Sequence, residues 1–414
     1  MKNFKDSGIE WLGEIPEHWK LIKCKNFFVL KSIPIGDLWN KTKLLSLTLN
    51  GVIERDINNP EGKFPSDFST YQIVKEGDLI FCLFDVAETP RTIGLSKLNG
   101  MITSAYTIFE IKNQEKRFLE YFFIDLDNRK NLKFLYRGLR NTISKEDLLN
   151  LKIPLPPLKE QEQIANFLDE KCEQIKNFIE KKEKLITLLK EQKQAFINKA
   201  TTKGLDKNVN FKDSGIEWLG EIPEHWKLIK CKNFFVLKSI PIGDLWNKTK
   251  LLSLTLNGVI ERDINNPEGK FPSDFSTYQI VKEGDLIFCL FDVAETPRTI
   301  GLSKLNGMIT SAYTIFEIKN QEKRFLEYFF IDLDNRKNLK FLYRGLRNTI
   351  SKEDLLNLKI PLPPLKEQEQ IANFLDEKCK KIDLLIEKTE KQIKLIKEYK
   401  TTLTNQAVCG RINL

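Results

Sequence analysis

Two hydrophobic periods alternate along the chain, and the alternation occurs twice. Over residues 1–156 apolar positions come in short or alternating runs broken by turn residues. Leu21–Leu30, Lys43–Leu49, Asp78–Phe84, Ala105–Ile111 and Leu151–Leu155 read as strands. Asn50-Gly51, Asn59-Pro60-Glu61-Gly62, Glu76-Gly77-Asp78 and Asn99-Gly100 mark turns. A helical stretch from Glu115 to Asn131 carries Phe118, Leu119, Tyr121, Phe122 and Phe123. A second, Ser144–Asn150, opens on Ser144 with Asp147 three residues later, which suits a capped helix. Pro154, Pro156 and Pro157 end the strand-like region, and the period then becomes seven. One position of the repeat holds Cys172, Ile179, Ile186, Lys193 and Ala200; the other holds Leu168, Ile175, Lys182, Leu189 and Phe196. A helix from Lys159 to Ala200 would be about 63 Å long at 1.5 Å per residue.

The whole pattern then recurs. Asn3–Cys172 reappears letter for letter as Asn210–Cys379, at a constant offset of 207. Past these cysteines the copies are only similar: Glu173 corresponds to Lys380, Asn177 to Leu384, and Leu185 to Gln392. Perfect identity beside diverged flanks points to recent recombination or deliberate duplication. The second helix keeps Cys379, Ile386, Ile393, Lys400 and Ala407 on one seam, with Leu375, Ile382, Thr389, Ile396 and Leu403 on the other. Two helices with matched seams in one chain are expected to pack on each other, with Lys193 and Lys400 weakening the seam. The short connector Thr201–Val209 starts the second domain at the far end of the first helix, so the second helix should run back antiparallel. Its tail, Val408–Leu414, would then meet Met1–Phe4. The expected class is α+β: two identical, β-rich mixed α/β domains separated by two long helices in an antiparallel coiled coil, pseudo-two-fold symmetric. The expected divisions are 1–156, 157–209, 210–363 and 364–414.

Composition narrows the chemistry. With 41% hydrophobic and 30% charged residues the chain reads as globular, and a net charge of +9 permits an anionic partner without requiring one. Seven cysteines without a CxxC pair argue for reduced thiols rather than disulfides or a zinc ribbon. No signal peptide or membrane-length apolar run is evident, which predicts a cytoplasmic protein with no membrane partner. No GxxxxGK[ST] or GxGxxG loop is present to hold a nucleotide. His18 and its copy His225, the two histidines, sit beside Trp and Pro and suggest a packing role. Asn59-Pro60-Glu61 lacks the second proline and aromatic of an adenine methyltransferase segment. Glu180-Lys181-Lys182 fits a minimal nuclease E-x-K, yet reads as a solvated helix face.

Two long motifs are more specific. Ser7-Gly8-Ile9-Glu10-Trp11-Leu12-Gly13-Glu14-Ile15-Pro16-Glu17-His18-Trp19 opens each repeat. Ile153-Pro154-Leu155-Pro156-Pro157-Leu158-Lys159-Glu160-Gln161-Glu162-Gln163-Ile164-Ala165-Asn166-Phe167-Leu168 leads into each helix. Together, and in this order over the whole chain, they make it resemble the specificity (S) subunit of type I restriction–modification systems. The resemblance implies two target-recognition domains alternating with two conserved helical regions, and a non-catalytic, DNA-reading role. It also implies double-stranded DNA, two methyltransferase subunits and restriction/translocase subunits as partners. S-adenosylmethionine would belong to the methyltransferase subunit, with no cofactor on this chain. The departure is that recognition domains in the family usually differ, whereas here they are identical.

Loops combining basic and small polar residues are the candidate DNA contacts. They are Lys41 and Lys43; Arg91 and Thr92; and Arg137, Arg140, Asn141 and Lys145. Their copies are Lys248, Lys250, Arg298, Thr299, Arg344, Arg347, Asn348 and Lys352. The candidate coiled-coil seam is Leu168, Ile175, Ile179, Ile186 and Leu189 with Leu375, Ile382, Ile386, Ile393 and Ile396. Identical domains predict an interrupted palindrome as target. The competing readings are a coiled-coil scaffold with paired protein-binding domains and a stand-alone DNA-modifying enzyme.

Overall fold

The structure, a computed structural model, describes residues 3–57, 67–89, 91–263, 274–293, 295–296 and 298–414. The turn expected at Asn59–Gly62, the residues Met1 and Lys2, and Pro90 with its copy Pro297 lie outside the described residues. Packing divides the chain into one unit of Met1–Lys182 with Glu390–Leu414 and a second of Glu183–Thr389.

In the first unit β1 (Phe4–Asp6) pairs with β2 (Glu14–Pro16), and β3 (Lys20–Lys23) leads through a 3-10 turn to β4 (Phe28–Lys31). Then come β5 (Leu44–Thr48), β6 (Gly51–Arg55), β7 (Gln72–Val74), β8 (Leu79–Phe81), β9 (Ile93–Leu95), β10 (Gly100–Ile102) and β11 (Thr107–Ile111). After α1 (Lys116–Asn128) and α2 (Lys145–Asn150), β12 (Lys152–Leu155) feeds α3 (Leu158–Lys203). Two four-stranded sheets form, in the orders β6-β5-β10-β7 and β4-β11-β8-β9. They pack through Leu45, Val74, Ile80, Ile102 and Ile108. The approach is close: a Cβ on Gly94 in β9 would stand 2.7 Å from Leu47 Cδ1. The other face of the second sheet receives α1, which buries Phe118, Leu119, Phe122, Phe123 and Leu126. Phe28 stacks on Phe109 at 5.0 Å, and Phe81 meets Phe123 edge-on at 5.3 Å. Such fully buried side chains each contribute roughly 1.5–3 kcal/mol.

The single strand expected over Leu21–Leu30 is in fact two. Cys24–Asn26 turns, with the Cys24 N–H donating to the Leu151 carbonyl at 3.0 Å. This redirection lets β3 pair with β12 while β4 pairs with β11 in a different sheet.

The two long motifs meet at the start of α3. Trp19 is fully buried, and its Nε1 donates to the Glu160 carboxylate at 3.1 Å. His18 is not a packing residue as expected: its side chain is 50% exposed and its Nε2 stands 2.7 Å from the same carboxylate. Gln161, buried, accepts from the Glu115 N–H and donates to the Gln114 side chain and the Pro156 carbonyl. Arg117 and Tyr121 of α1 each donate to Asp169 at 2.7 Å. The helix is thus bolted to the domain over its first three turns.

The second unit repeats these elements from Phe211–Asp213 to Lys359–Leu362, with α4 (Lys323–Asn335) and α5 (Lys352–Asn357), before α6 (Leu365–Val408). Within it α3 and α6 run antiparallel: Lys193 binds the Asp383 carboxylate at 2.7 Å, and Phe196 meets Phe374 at 6.3 Å. Lys193 at its seam position is therefore paired. In the first unit Ile164, Ala165 and Leu168 share a core with Ala407, Val408 and Cys409, while Cys172 feels the charge of Lys400. That is the same antiparallel sense. Of the candidate seam residues, Leu168, Ile175, Leu189, Leu375, Ile382 and Ile393 are buried, and Ile179, Ile186, Ile386 and Ile396 are half-buried. The tail turns at Gly410 onto Pro16 and Trp19, and Gly204 ends α3 against Trp226.

Candidate nucleic-acid interface

Arg137–Thr142 folds as a tight hairpin. The Arg137 N–H donates to the Thr142 carbonyl at 2.9 Å, and the Thr142 N–H returns the bond at 3.0 Å. Gly138 and Asn141 take left-handed φ values of 65° and 44°, which Gly and Asn tolerate best. Two further bonds tie the hairpin down: the Asp85 N–H to the Arg140 carbonyl, and the Ile143 N–H to the Leu83 carbonyl, both 2.8 Å. Next comes α2, capped by Ser144, whose hydroxyl accepts from the Asp147 N–H at 3.0 Å.

The arginines are held but open. Arg137 binds Asp147 at 2.8 Å; Arg140 engages Asp85 with two nitrogens, at 3.0 and 2.5 Å, and lies 5.6 Å over the Phe84 ring. Each arginine side chain is 69% exposed. The Arg140 guanidinium holds the Asp85 carboxyl below the usual carboxylate range. Lys145 is exposed at the start of α2. The second unit repeats the arrangement through Arg344–Asp354, Arg347–Asp292 and the Phe291 ring, with Asn348 left-handed at 45° and Lys352 exposed. Fixed guanidinium groups of this kind can engage phosphates or the guanine edge.

The other candidates lie apart from this hairpin. Arg91 reaches the Asn128 side chain at 3.5 Å and lines a groove of about 1210 Å³ with Asn50, Lys97, Lys176 and Lys400. Its copy Arg298 turns instead to the Leu256 carbonyl. Thr92 and Thr299 are only 5% and 4% exposed, and their N–H groups donate to Asp127 and Asp334, so their side chains do not face a ligand. Lys41 and Lys43 precede β5, on the other sheet; Lys43 pairs with Glu54 at 2.7 Å. Lys248 is exposed, and Lys250 pairs with Glu261 beside a depression lined by Trp246, Asn247 and Arg262. Sequence reasoning did not foresee that Asp85, Asp147 and Phe84 hold the arginines, or that Leu139 stands exposed at the hairpin tip. A hydrophobic residue between Gly138 and Arg140 was the available signal.

Among the described residues, no group of three or more His, Cys, Asp or Glu side chains could hold a metal, and no helix is long and apolar enough to cross a membrane.

Two β-rich domains, each bolted to a long helix and each presenting an arginine hairpin, define a duplicated protein of β-rich domains and long paired helices. The family described as the type I restriction modification DNA specificity domain matches residues 91–199 and again 298–395. The MjaVIII type I restriction enzyme specificity subunit of Methanocaldococcus jannaschii is 31% identical over 365 residues, covering 83% of this chain and 80% of its own. The HsdS subunit of Thermoanaerobacter tengcongensis has the same fold, with a TM-score of 0.54 at 17% identity over 96% of this chain and 98% of its own. A chain solved in work on complex assembly and conformational transition of the type I R-M system gives 0.67 at 15%, covering 95% and 98%. The chain belongs to the type I restriction–modification specificity subunits, and its two β-rich domains are DNA-recognition domains.

Proposed function

We propose that this chain is the non-catalytic reader of a type I restriction–modification assembly, recognising a bipartite site whose halves are the same sequence in inverted orientation. The observation that carries the reading is one exposed, carboxylate-held arginine hairpin in each unit, built from identical residues. Arg137, Arg140 and Lys145, with Arg344, Arg347 and Lys352, are its first DNA contacts; Lys41, Lys43, Arg91 and their copies stand second. Identical side chains in identical settings read identical half-sites, and the oppositely directed helices within each unit favour inversion. The helices set the spacer and receive the methyltransferase subunits, which supply S-adenosylmethionine chemistry; restriction subunits join that assembly. Selection of sites from random duplex DNA by the chain assembled with its methyltransferase tests this. The expected result is an interrupted palindrome. Two unrelated half-sites would overturn it.

A further inference from the structure

The Arg137–Thr142 hairpin carries one residue that water disfavours. Leu139 has a relative exposure of 104%, and Leu346 in the other unit 103%, the largest of any exposed hydrophobic side chain described. The tip does not owe this exposure to slack. Its strands exchange two backbone hydrogen bonds, Gly138 and Asn141 fix the turn, and carboxylates hold the arginine on each side of the leucine. A leucine that docked on protein would be expected within an apolar patch. Here its neighbours along the tip are Arg137, Gly138, Arg140 and Asn141. An isolated apolar side chain between two guanidinium groups matches duplex DNA, with phosphates for the arginines and a base step for the leucine.

We infer that Leu139 and Leu346 are wedges that enter a groove and unstack one base step in each half-site, while Arg137 and Arg140, with Arg344 and Arg347, grip the flanking phosphates. This rests on the DNA-reading function proposed above. The wedge makes the deformability of that step part of the sequence read, since pyrimidine–purine steps open most easily.

The test uses the full chain assembled with methyltransferase subunits on a duplex bearing the selected site. Permanganate oxidation reports unstacked thymines, and 2-aminopurine emission reports unstacked purines. Apart from the target base that each methyltransferase subunit flips out, the native assembly should show one further unstacked step at the same place in both half-sites. Leu139→Ser with Leu346→Ser should abolish the signal and weaken specific binding roughly tenfold per half-site, the scale of losing one leucine's burial. Leu139→Met with Leu346→Met should keep it. Because both leucines are fully exposed, melting should be unchanged in either variant. A native complex that binds its site without that further step overturns the wedge, as does a serine variant that keeps it. Loss of methyltransferase co-elution in the serine variant, with stacking unaltered, would make the leucine a protein contact and also overturn it. Failure of the native assembly to retain any specific duplex would refute the DNA-reading function itself.

Discussion

Replacing Arg137 and Arg344 by alanine together separates a structural hairpin from a DNA-gripping one. The guanidinium groups are 69% and 70% exposed. Their pairs with Asp147 and Asp354 therefore contribute at most about 1 kcal/mol each to folding, and melting should hardly move. Against DNA the effect is larger. Each phosphate left without its arginine takes about 0.9 off the slope of log K against log salt, so the double change should flatten that slope by about 1.8. A charge-assisted hydrogen bond contributes about 1.5–3 kcal/mol, less the cost of leaving Asp147, which leaves about 1–2 kcal/mol per half-site. Fluorescence anisotropy of a labelled duplex over a salt series reads both quantities. Because the copies are identical, Arg137→Ala and Arg344→Ala should have equal effects, each half that of the pair. An unchanged slope would show that Arg137 and Arg344 do not touch phosphate.

Two further outcomes follow from the packing. Gly410 closes α6 at φ +73°, and a Cβ there would lie 2.4 Å from Pro16 Cγ and 2.8 Å from Trp19 Cζ2; at Gly204, also +73°, the nearest atom would be 3.1 Å away. Gly204→Ala should cost about 1 kcal/mol for the left-handed backbone, and Gly410→Ala roughly 1–3 kcal/mol more for the clash. Urea titration followed by circular dichroism compares them, and equal shifts would refute the packing argument. Burial pushes the carboxyls of Glu120 and Glu327 above their ordinary value of 4.5. The folded state therefore holds these protons more tightly, so their contribution is fully present below about pH 4.5 and is lost as pH rises through the folded value. Glu120→Gln with Glu327→Gln, which keeps an acceptor for the Leu95 and Leu302 N–H groups, should raise the melting temperature at pH 7.5 more than at pH 4.5. A lower melting temperature at pH 7.5 would show that burial does not dominate.

The long-range architecture was legible because its signals are long. A seven-residue period over five turns of the repeat, and motifs of a dozen residues given twice, leave little room for another reading. The small strands were not legible for the opposite reason. β9 is Ile-Gly-Leu and β10 is Gly-Met-Ile, too short for alternation to show, and they form because the sheets around them bury them. The hairpin was found through its Arg and Gly residues, but its geometry depends on Asp85, 55 residues from Arg140 along the chain. His18 was misjudged for a related cause: its partner Glu160 is 142 residues away, so the local Trp and Pro were a poor guide.

Sequence identity stops at Cys172 and Cys379, and the packing explains why a domain can be exchanged there. Among the described residues, α3 is hydrogen-bonded to the domain ahead of it through Glu160, Gln161, Asn166 and Asp169, with Cys172 against Tyr121, none of them past the end of the repeat. A transferred segment therefore brings its arginine hairpin and its own mount together. What it must still fit is the returning helix. In the first unit Asp125, at the back of α1, accepts from Asn405 at 3.0 Å; in the second Asp332 accepts from Asn198, also at 3.0 Å. These two asparagines occupy corresponding positions outside the exact repeat, so the main contact is met in both units. At this aspartate one partner differs. Gln194 also donates to Asp332 at 2.6 Å, but Thr401 stands at the corresponding place in α6, and Asp125 Oδ1 is buried with no partner among the described residues. Burial accordingly pushes the Asp125 carboxyl up. An orphaned buried acceptor costs about 1–3 kcal/mol, small beside the gain of a ready-made recognition domain. The two units are thus the same recognition domain fitted to two helix ends, and Asp125 is one place where the fit is incomplete.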